Sequence, residues 1–493
     1  MSDGDAANFT VVFRSAAIEP GDVFVRSLQG REALSQLYEY TLEVETTFGG
    51  ALDQPTIDLL LAKSAYFAFG DDESHKVHGW VREVETMSTA DAARVVYRLR
   101  LVPKMFDLTL TFGSWVYQNL DAPGLVKDVL DNAKWTEGED YEFRLTGAYS
   151  KHEYKVQYQE TDFNFVSRVM EHEGLFYFFE HGDKGAKLVV TDANTAFRPR
   201  EGYEHLAYET RQGISGPIEV VSALSRVQRT VPAKVSLRDY NYRTPSVPLL
   251  VDSAVDADAG IGEQVYYGEH FKDDAGGRRL ARFRAQEHFA QREVYRGTSM
   301  ARGLRAGDKF TLEGHPLAGY DMDYLVTEVV QSVTQEGQTG EGTGERAYRN
   351  DFVAIPYAVP FRAPQVTPRP RIVGVIHGRI DAPADGDRAT PLDEMGRYKV
   401  ILPWDVAGEE GGKASRWIRM AQPASGGGYG VQFPLHMGTE VLLVHIDGDP
   451  DRPIISGSAP NPNTASPVTS ANATQSMIRT RHGITVTFDD QSG

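Results

Sequence analysis

The sequence predicts a mainly β protein of several domains, with an α/β lobe in its middle and a five-stranded OB-type barrel near its end. Three observations carry this. At 493 residues the chain exceeds what one ordinary core can organise. Period-two alternation recurs: from Leu37 to Glu45, Tyr38, Tyr40, Leu42 and Val44 line one face, and Glu39, Thr41, Glu43 and Glu45 the other. Between Ile372 and Ser458, short alternating segments separated by Gly, Pro and Asp turns succeed one another within about 90 residues, the scale of an OB-fold.

In chain order, Phe9 to about Leu110 reads as strands, Ala93–Pro103 repeating the alternation through Val95, Tyr97, Leu99 and Leu101. A helix is expected from Asp121 to Leu130, with an acidic cap, an early proline, and Leu125, Val126, Val129 and Leu130 on one face. A second is expected from Thr161 to Gly174, with Phe165, Val166, Val169 and Met170 at helical spacing and Gly174 as its stop. A strand from Leu175 to Glu180 comes next, and together these form the α/β lobe. Strands return from Val220 to Pro356 around one helix, Ala275–Tyr295, whose Arg278, Arg279, Arg282, Arg284 and Arg292 are expected on a solvated face, contact with a neighbouring acidic subunit being the alternative.

Glu336–Glu345, built of Gly, Glu, Gln and Thr, is a hairpin tip whose three glutamates would repel phosphate. Five prolines from Pro356 to Pro370 predict a stiff linker separating the N-terminal body from the barrel. The barrel strands are expected at Ile372–Ile380, Gly396–Leu402, Ser415–Ala421, Thr439–Ile446 and Pro453–Ser458. Ala459–Thr474, with three prolines among Asn, Ser and Thr, is an extended connector. One strand then runs to the C-terminus, with Ile484, Val486 and Phe488 on an apolar face and Thr485 and Thr487 opposite. A lone strand of this kind needs partners, which other chains must supply.

Composition narrows the function classes. No cysteine is present, so disulfides, thiol nucleophiles and Cys-based metal sites are excluded. The net charge of −18 disfavours a polyanionic partner, even though Trp404, Trp417 and Tyr429 of the barrel are residue types that stack on bases. The N-terminus lacks a basic start and an apolar core, so folding in the cytoplasm is expected, with a delivery route that needs no signal peptide. His75 and His78 would point to opposite faces of a strand and have no third ligand nearby. Glu171-His172-Glu173 lacks the second histidine of a helical zinc motif and is expected to cap a helix at the surface. The carboxylates of Asp447–Asp451 alternate as in a calcium loop, but Arg452 stands where that loop needs Gly and Ser458 where it needs Glu. A tight turn is expected there instead. No Gly-x-Ser-x-Gly elbow occurs, and the stretch after Pro462 is too short for a catalytic domain. No catalytic, metal or cofactor site is therefore expected.

Ordered motifs make a resemblance specific. These are YKVQYQETDFNFVSRVMEHEG from Tyr154 to Gly174 and the adjoining LFYFF, GRYKVILPW from Gly396 to Trp404, SRWIRMAQP from Ser415, GYGVQFP from Gly428, GTEV from Gly438 and GDPDRPIISG from Gly448. From about residue 9 to its C-terminus the chain resembles the valine-glycine repeat protein G (VgrG) family, the spike of the bacterial type VI secretion system. The resemblance implies a phage-tail-hub-like body of two β-barrels, at residues 1–110 and 221–358, with the α/β lobe at 111–220. A linker at 359–371, an OB-fold at 372–459, a second linker at 460–475 and the start of a triple-stranded β-helix needle at 476–493 complete the expected order. It further implies a homotrimer whose pseudo-sixfold base caps a tube of Hcp rings amid baseplate components. The needle strand packs through Ile484, Val486 and Phe488, and a PAAR-type tip and effectors are carried on needle expected beyond Gly493. Such a protein transmits force and needs no active site or cofactor. The rivals are a hub-spike of a phage tail or extracellular injection particle and a cell-wall hydrolase.

Overall fold

The computed structural model describes residues 10–70, 73–87, 94–209, 219–335, 346–383, 391–405 and 408–491. The expected hairpin tip at Glu336–Glu345 lies outside the described residues. The chain divides into two compact units that interleave in sequence: Met1–Leu110, Val126–Tyr149 and Val166–Thr367 make the first, and Thr111–Leu125, Ser150–Phe165 and Pro368–Gly493 the second. This differs from a division into consecutive segments, since pieces of the region expected as one lobe belong with the barrel.

The first unit is built on a 12-stranded sheet. Its main path runs Val11–Ser15, Ser64–Phe69, Ser74–Thr86, Val96–Val102, Glu39–Thr46, Val23–Ala33, Asp323–Gln335, Arg346–Pro356, Glu293–Ser299 and Val221–Gln228. The two strand-rich regions expected as the two barrels of the hub body share one hydrogen-bonded ladder, joined where Leu28 pairs with Val333. Each keeps its own core. Tyr40, Leu42, Val44, Phe67, Leu99 and Leu101 fill the first, and Tyr295, Phe310, Leu312, Tyr324 and Phe352 the second. The alternation at Leu37–Glu45 explains the first: Tyr40, Leu42 and Val44 are fully buried. Outward-facing Glu43 meets Arg98 across the strands at 3.0 Å. Gln335 spans the gap beside the edge strand, accepting from Val11 N at 3.0 Å and donating to Val25 O at 2.8 Å.

Helix α1 (Gln54–Ala62) begins with Asp53 accepting from Thr56 N at 3.0 Å, and α2 spans Ala122–Asn132. Helix α3 (Asp162–Glu173) stops at Gly174, whose φ of +76° is the left-handed conformation glycine adopts freely. Phe176–His181 then pairs with Ala186–Thr191, which pairs with Tyr141–Arg144. A further sheet of Leu249–Ala254, Lys234–Asp239 and Glu263–Tyr267 is backed by α4 (Asp274–Ala290). Its core is Val235, Leu237, Val251, Leu280 and Phe283. This α/β layer stands where only barrel strands and one helix were expected. Helix α4 also ends five residues early, because Glu293–Ser299 is already paired with Val221–Gln228.

The arginines of α4 do not form a uniformly solvated face. Arg284 is buried and donates to the carbonyls of Glu171 and His172, while Arg279 pairs with buried Glu173 at 2.5 Å. Arg278 pairs with Asp274 on the surface, and Arg292, just past the end of α4, reaches Asp256 at 3.0 Å. The same contacts correct the reading of Glu171-His172-Glu173. All three are buried, because these basic side chains of α4 cover the end of α3 and supply its last carbonyls with donors. The proline-rich stretch is likewise no free spacer as far as Thr367. Phe361 and Ala363 are buried, Phe361 N donates to Asn194 at 2.9 Å, and Thr367 N donates to Glu171 at 3.0 Å.

In the second unit, Ile376–Asp381 pairs with Lys399–Ile401 on one side and Glu440–His445 on the other, and Glu440–His445 pairs with Pro453–Ser458. The segment expected as a strand at Ser415–Ala421 is not a regular one. It closes the barrel through single bridges, Tyr398 with Ile418 and Met420 with Ile455. Ile380, Tyr398, Val400, Ile418, Val441, Leu443 and Ile455 form the core. A hairpin of Phe112–Tyr117 and Lys155–Thr161 packs on it through Val116. Asp451, in the Asp447–Asp451 turn, accepts from Lys155 Nζ at 2.7 Å and Val156 N at 2.8 Å, so its carboxylate holds this hairpin.

Candidate functional site

The connector ahead of the terminal segment is more structured than expected. Asn461 and Thr464 close a turn, Asn461 donates to Glu440 at 2.8 Å, and Thr469 and Asn472 form a capping box around one 3-10 turn. The terminal segment itself is a hairpin, not a lone strand. Gln475–Arg479 pairs antiparallel with Thr485–Asp489, with Ile478 opposite Val486 and Ser476 opposite Phe488. The intervening turn closes through Gly483 N to Thr480 O at 3.0 Å and Thr480 N to Ile484 O at 2.9 Å. Gly483 takes a φ of +89°, which few other residues would adopt there. Arg481 on the turn meets His436 of the barrel at 3.1 Å. At the open end, hydrogen bonds from Gln475 and Thr474 hold the Asp489 carboxyl below its ordinary range.

The pairing places Ile484, Val486 and Phe488 on one face, as the sequence predicts, and adds Ile478 to it. Their exposures are 72%, 50%, 63% and 50% respectively. Thr485, Thr487 and Met477 occupy the other face. Sequence reasoning missed Ile478 because it took the terminal segment as a single strand. The available signal was Gly483 between two five-residue segments of strand character. A two-stranded ribbon is marginal in water, and four large apolar side chains at least half in solvent make it more so. Tyr429, Val431 and Phe433, also in the second unit, are exposed as well, with Tyr429 beside the short Ala424–Ser425/Gly430–Val431 pair. The other aromatics singled out in the barrel do not join Tyr429 as a platform. Trp404 packs edge-on against Tyr158 at 5.5 Å and Trp417 lies against Lys399. The His75 ring bonds Tyr203 and the His78 ring lies against Tyr66 at 5.1 Å, so the two imidazoles have different neighbours. Chemically, the arrangement can bury apolar surface and extend a sheet. Among the described residues no helix is long and apolar enough to cross a membrane.

A broad ladder with two cores, joined in sequence to an OB barrel that carries a terminal ribbon, defines the class of contractile-injection baseplate hubs. Residues 31–337 match the family described as phage tail baseplate hub (GPD), and residues 389–459 the type VI secretion system/phage-baseplate injector OB domain. The chain is 31% identical over 474 residues to the type VI secretion system spike protein VgrG1a of Pseudomonas aeruginosa, covering 94% of this chain and 71% of that protein. It is 31% identical to VgrG1c of the same organism, covering 96% of this chain and 64% of that one. The chain belongs to the VgrG family of type VI secretion system spike proteins. It spans 44% of a 27% identical Vibrio cholerae relative, the actin cross-linking toxin VgrG1. Among solved structures, the Escherichia coli c3393 protein, a type VI secretion component described as similar to the phage T4 tail proteins gp27 and gp5, superposes with a TM-score of 0.66. It is 22% identical and covers 91% of this chain and 100% of its own. The lidded Francisella PdpA–VgrG complex gives 0.59 at 9% identity, covering 98% and 75%. These two likenesses concern the fold.

Proposed function

We propose that this chain forms the hub and the base of the spike in a type VI secretion machine, as a homotrimer. The observation that carries the proposal is the terminal ribbon, whose Ile478, Ile484, Val486 and Phe488 face is exposed. In the trimer three such faces turn toward a common axis and begin a β-helical needle. Hydrogen bonds between chains then replace the free ribbon edges. Covering each half-exposed side chain contributes roughly 1 kcal/mol or somewhat more, which favours association once the ribbons meet. The first unit caps the Hcp tube next to the baseplate. The needle carries a PAAR-type tip and effectors, and the particle leaves the cytoplasm by sheath contraction to pierce a target membrane. Ile484, Val486 and Phe488 act by packing, and no catalytic or cofactor chemistry is assigned to the chain. A phage-tail hub would show the same trimer, and the family relatives favour secretion.

The test is the mass of the purified chain by light scattering, together with binding of its cognate tube protein. The expected result is three times the chain mass and capture of tube rings. A monomer at every concentration, with no tube captured, sinks the proposal.

A further inference from the structure

We propose that His78 and His181 form an acid-sensitive latch in the first unit, which fastens the His181 end of the hairpin of Phe176–His181 and Ala186–Thr191 against the first barrel and loosens that end when His181 is protonated. The contact is specific to one protonation state. His78, in the Ser74–Thr86 strand, donates its backbone N–H to His181 Nδ1 at 3.2 Å. Only a ring nitrogen with a free lone pair can accept that bond, so the His181 proton must sit on Nε2. A second proton would go to Nδ1 and bring two donors face to face. The attachment is reinforced by Tyr38, whose hydroxyl donates to His78 O and whose ring lies 5.3 Å from His181 and 4.9 Å from Phe179. Farther along the His181 strand Tyr177 exchanges two bonds with Ser35, at 2.8 and 3.1 Å, and Phe176 and Val189 are buried, so losing the His181 bond loosens the His181 end of the hairpin while the rest stays seated.

The groups that act most strongly on His181 do not favour an imidazolium. Facing His181 are the Arg305 and Arg200 cations and the His78 ring. Of the nearby carboxylates, Asp308 is engaged by Arg200 at 3.0 Å and Glu32 lies 3.5 Å from Arg305. Lys76 and Asp183 face His78 with opposite sign. The Nε2 atoms of both rings are buried without a hydrogen-bond partner among the described residues. His181 also lines a cavity of about 960 Å³ bounded by Gly138–Asp140, Phe178–Glu180, Gly182–Lys187, Arg198–Arg200 and Ala306–Asp308, where Asp140 is paired with Lys104 at 2.7 Å and Glu180 with Arg144 at 2.6 Å.

Burial, and after it the neighbouring cations, hold His181 well below the ordinary histidine range, and burial lowers His78 as well. The folded state prefers neutral rings, so their contribution is complete above the unfolded value of about 6.5 and is lost as the pH falls from there toward the folded value. This device is independent of the spike assignment.

Hydrogen exchange with mass spectrometry on the whole protein, between about pH 7.5 and pH 5.0 and corrected for intrinsic rates, tests it. Peptides covering the His181 end of the hairpin should lose about 10-fold or more of their protection on acidification, while those from the Lys234–Ala290 layer keep theirs. In His181→Asn the amide oxygen still accepts from His78 N–H but does not titrate, so the loss should vanish. Equal acid loss in that variant overturns the latch. So does a parent whose hairpin stays protected at the lower pH, or one that loses protection evenly along the chain. The parent profile decides the matter even if the variant folds poorly.

Discussion

Asp381 is buried and spends both carboxylate oxygens on three backbone donors, Gly411 N at 3.0 Å, Gly412 N at 2.7 Å and Ala414 N at 3.1 Å. Asp381→Ala orphans all three and should cost the barrel on the order of 2–4 kcal/mol, read as a lowered urea midpoint for the second unit. Asp192 plays a similar part in the first unit. It accepts from Thr146 N at 2.8 Å, Gly147 N at 2.7 Å and the Tyr149 hydroxyl at 3.0 Å. Burial alone would raise its pKa, but the bonds from Thr146 and Gly147 outweigh it and hold the carboxyl below the usual range. Its contribution is therefore present above about pH 4 and is lost as the pH falls through the folded value. Stability of the parent should drop more steeply than that of Asp192→Asn on acidification below that point, and equal slopes would refute the assignment. Neither role was legible in the sequence. A buried aspartate looks like a surface one until its distant donors are known, and Glu171-His172-Glu173 misled for the same reason. Periodicity marks the apolar stripe of a helix but not which charged flank another helix will cover.

At the scale of elements, the sequence was informative where local pattern decides. Helices α2 and α3, the strand faces around Tyr40 and Leu42, and four of the barrel strands come from period, caps and turns. It was least informative where pairing decides. Ser415–Ala421 has strand character but makes only single bridges, and the terminal strand found its partner just upstream in Gln475–Arg479. That pairing generates a matched pair of variants. Val486→Asp and Ile478→Asp sit opposite each other on the proposed trimer face, and each places three like charges near one axis. That costs on the order of several kcal/mol per unpaired carboxylate. Both should abolish trimer formation in scattering and sharply reduce tube protein in the culture medium, while circular dichroism of the chain stays near that of the parent. Thr487→Asp, on the other face, should be milder. If Thr487→Asp proves the more damaging, or Ile478→Asp is silent, the face has been assigned wrongly.

For the whole molecule, the ordered motifs identified the family, and two strand-rich regions around a mixed lobe were foreseeable. The ladder that fuses those regions, and the interleaving of the two units, were not, because both rest on contacts between residues hundreds of positions apart. Interleaving has a measurable counterpart. Asp451→Ala should leave Lys155 Nζ and Val156 N without their acceptor and cost roughly 3–5 kcal/mol. It should expose the Phe112–Tyr117/Lys155–Thr161 hairpin to proteases, whereas unchanged cleavage there would show that the carboxylate does not hold it. The same bond sets a timetable on the ribosome. Val156 lies 295 positions before its acceptor, so at about 5–20 residues per second the hairpin is exposed for roughly 15–60 s before the residue that secures it has been made. Throughout that interval its strands present open edges and apolar side chains to every other nascent chain nearby. The second unit can close only after Asp451 has been made, so the yield of usable spikes depends on keeping an early hairpin waiting safely for a late barrel.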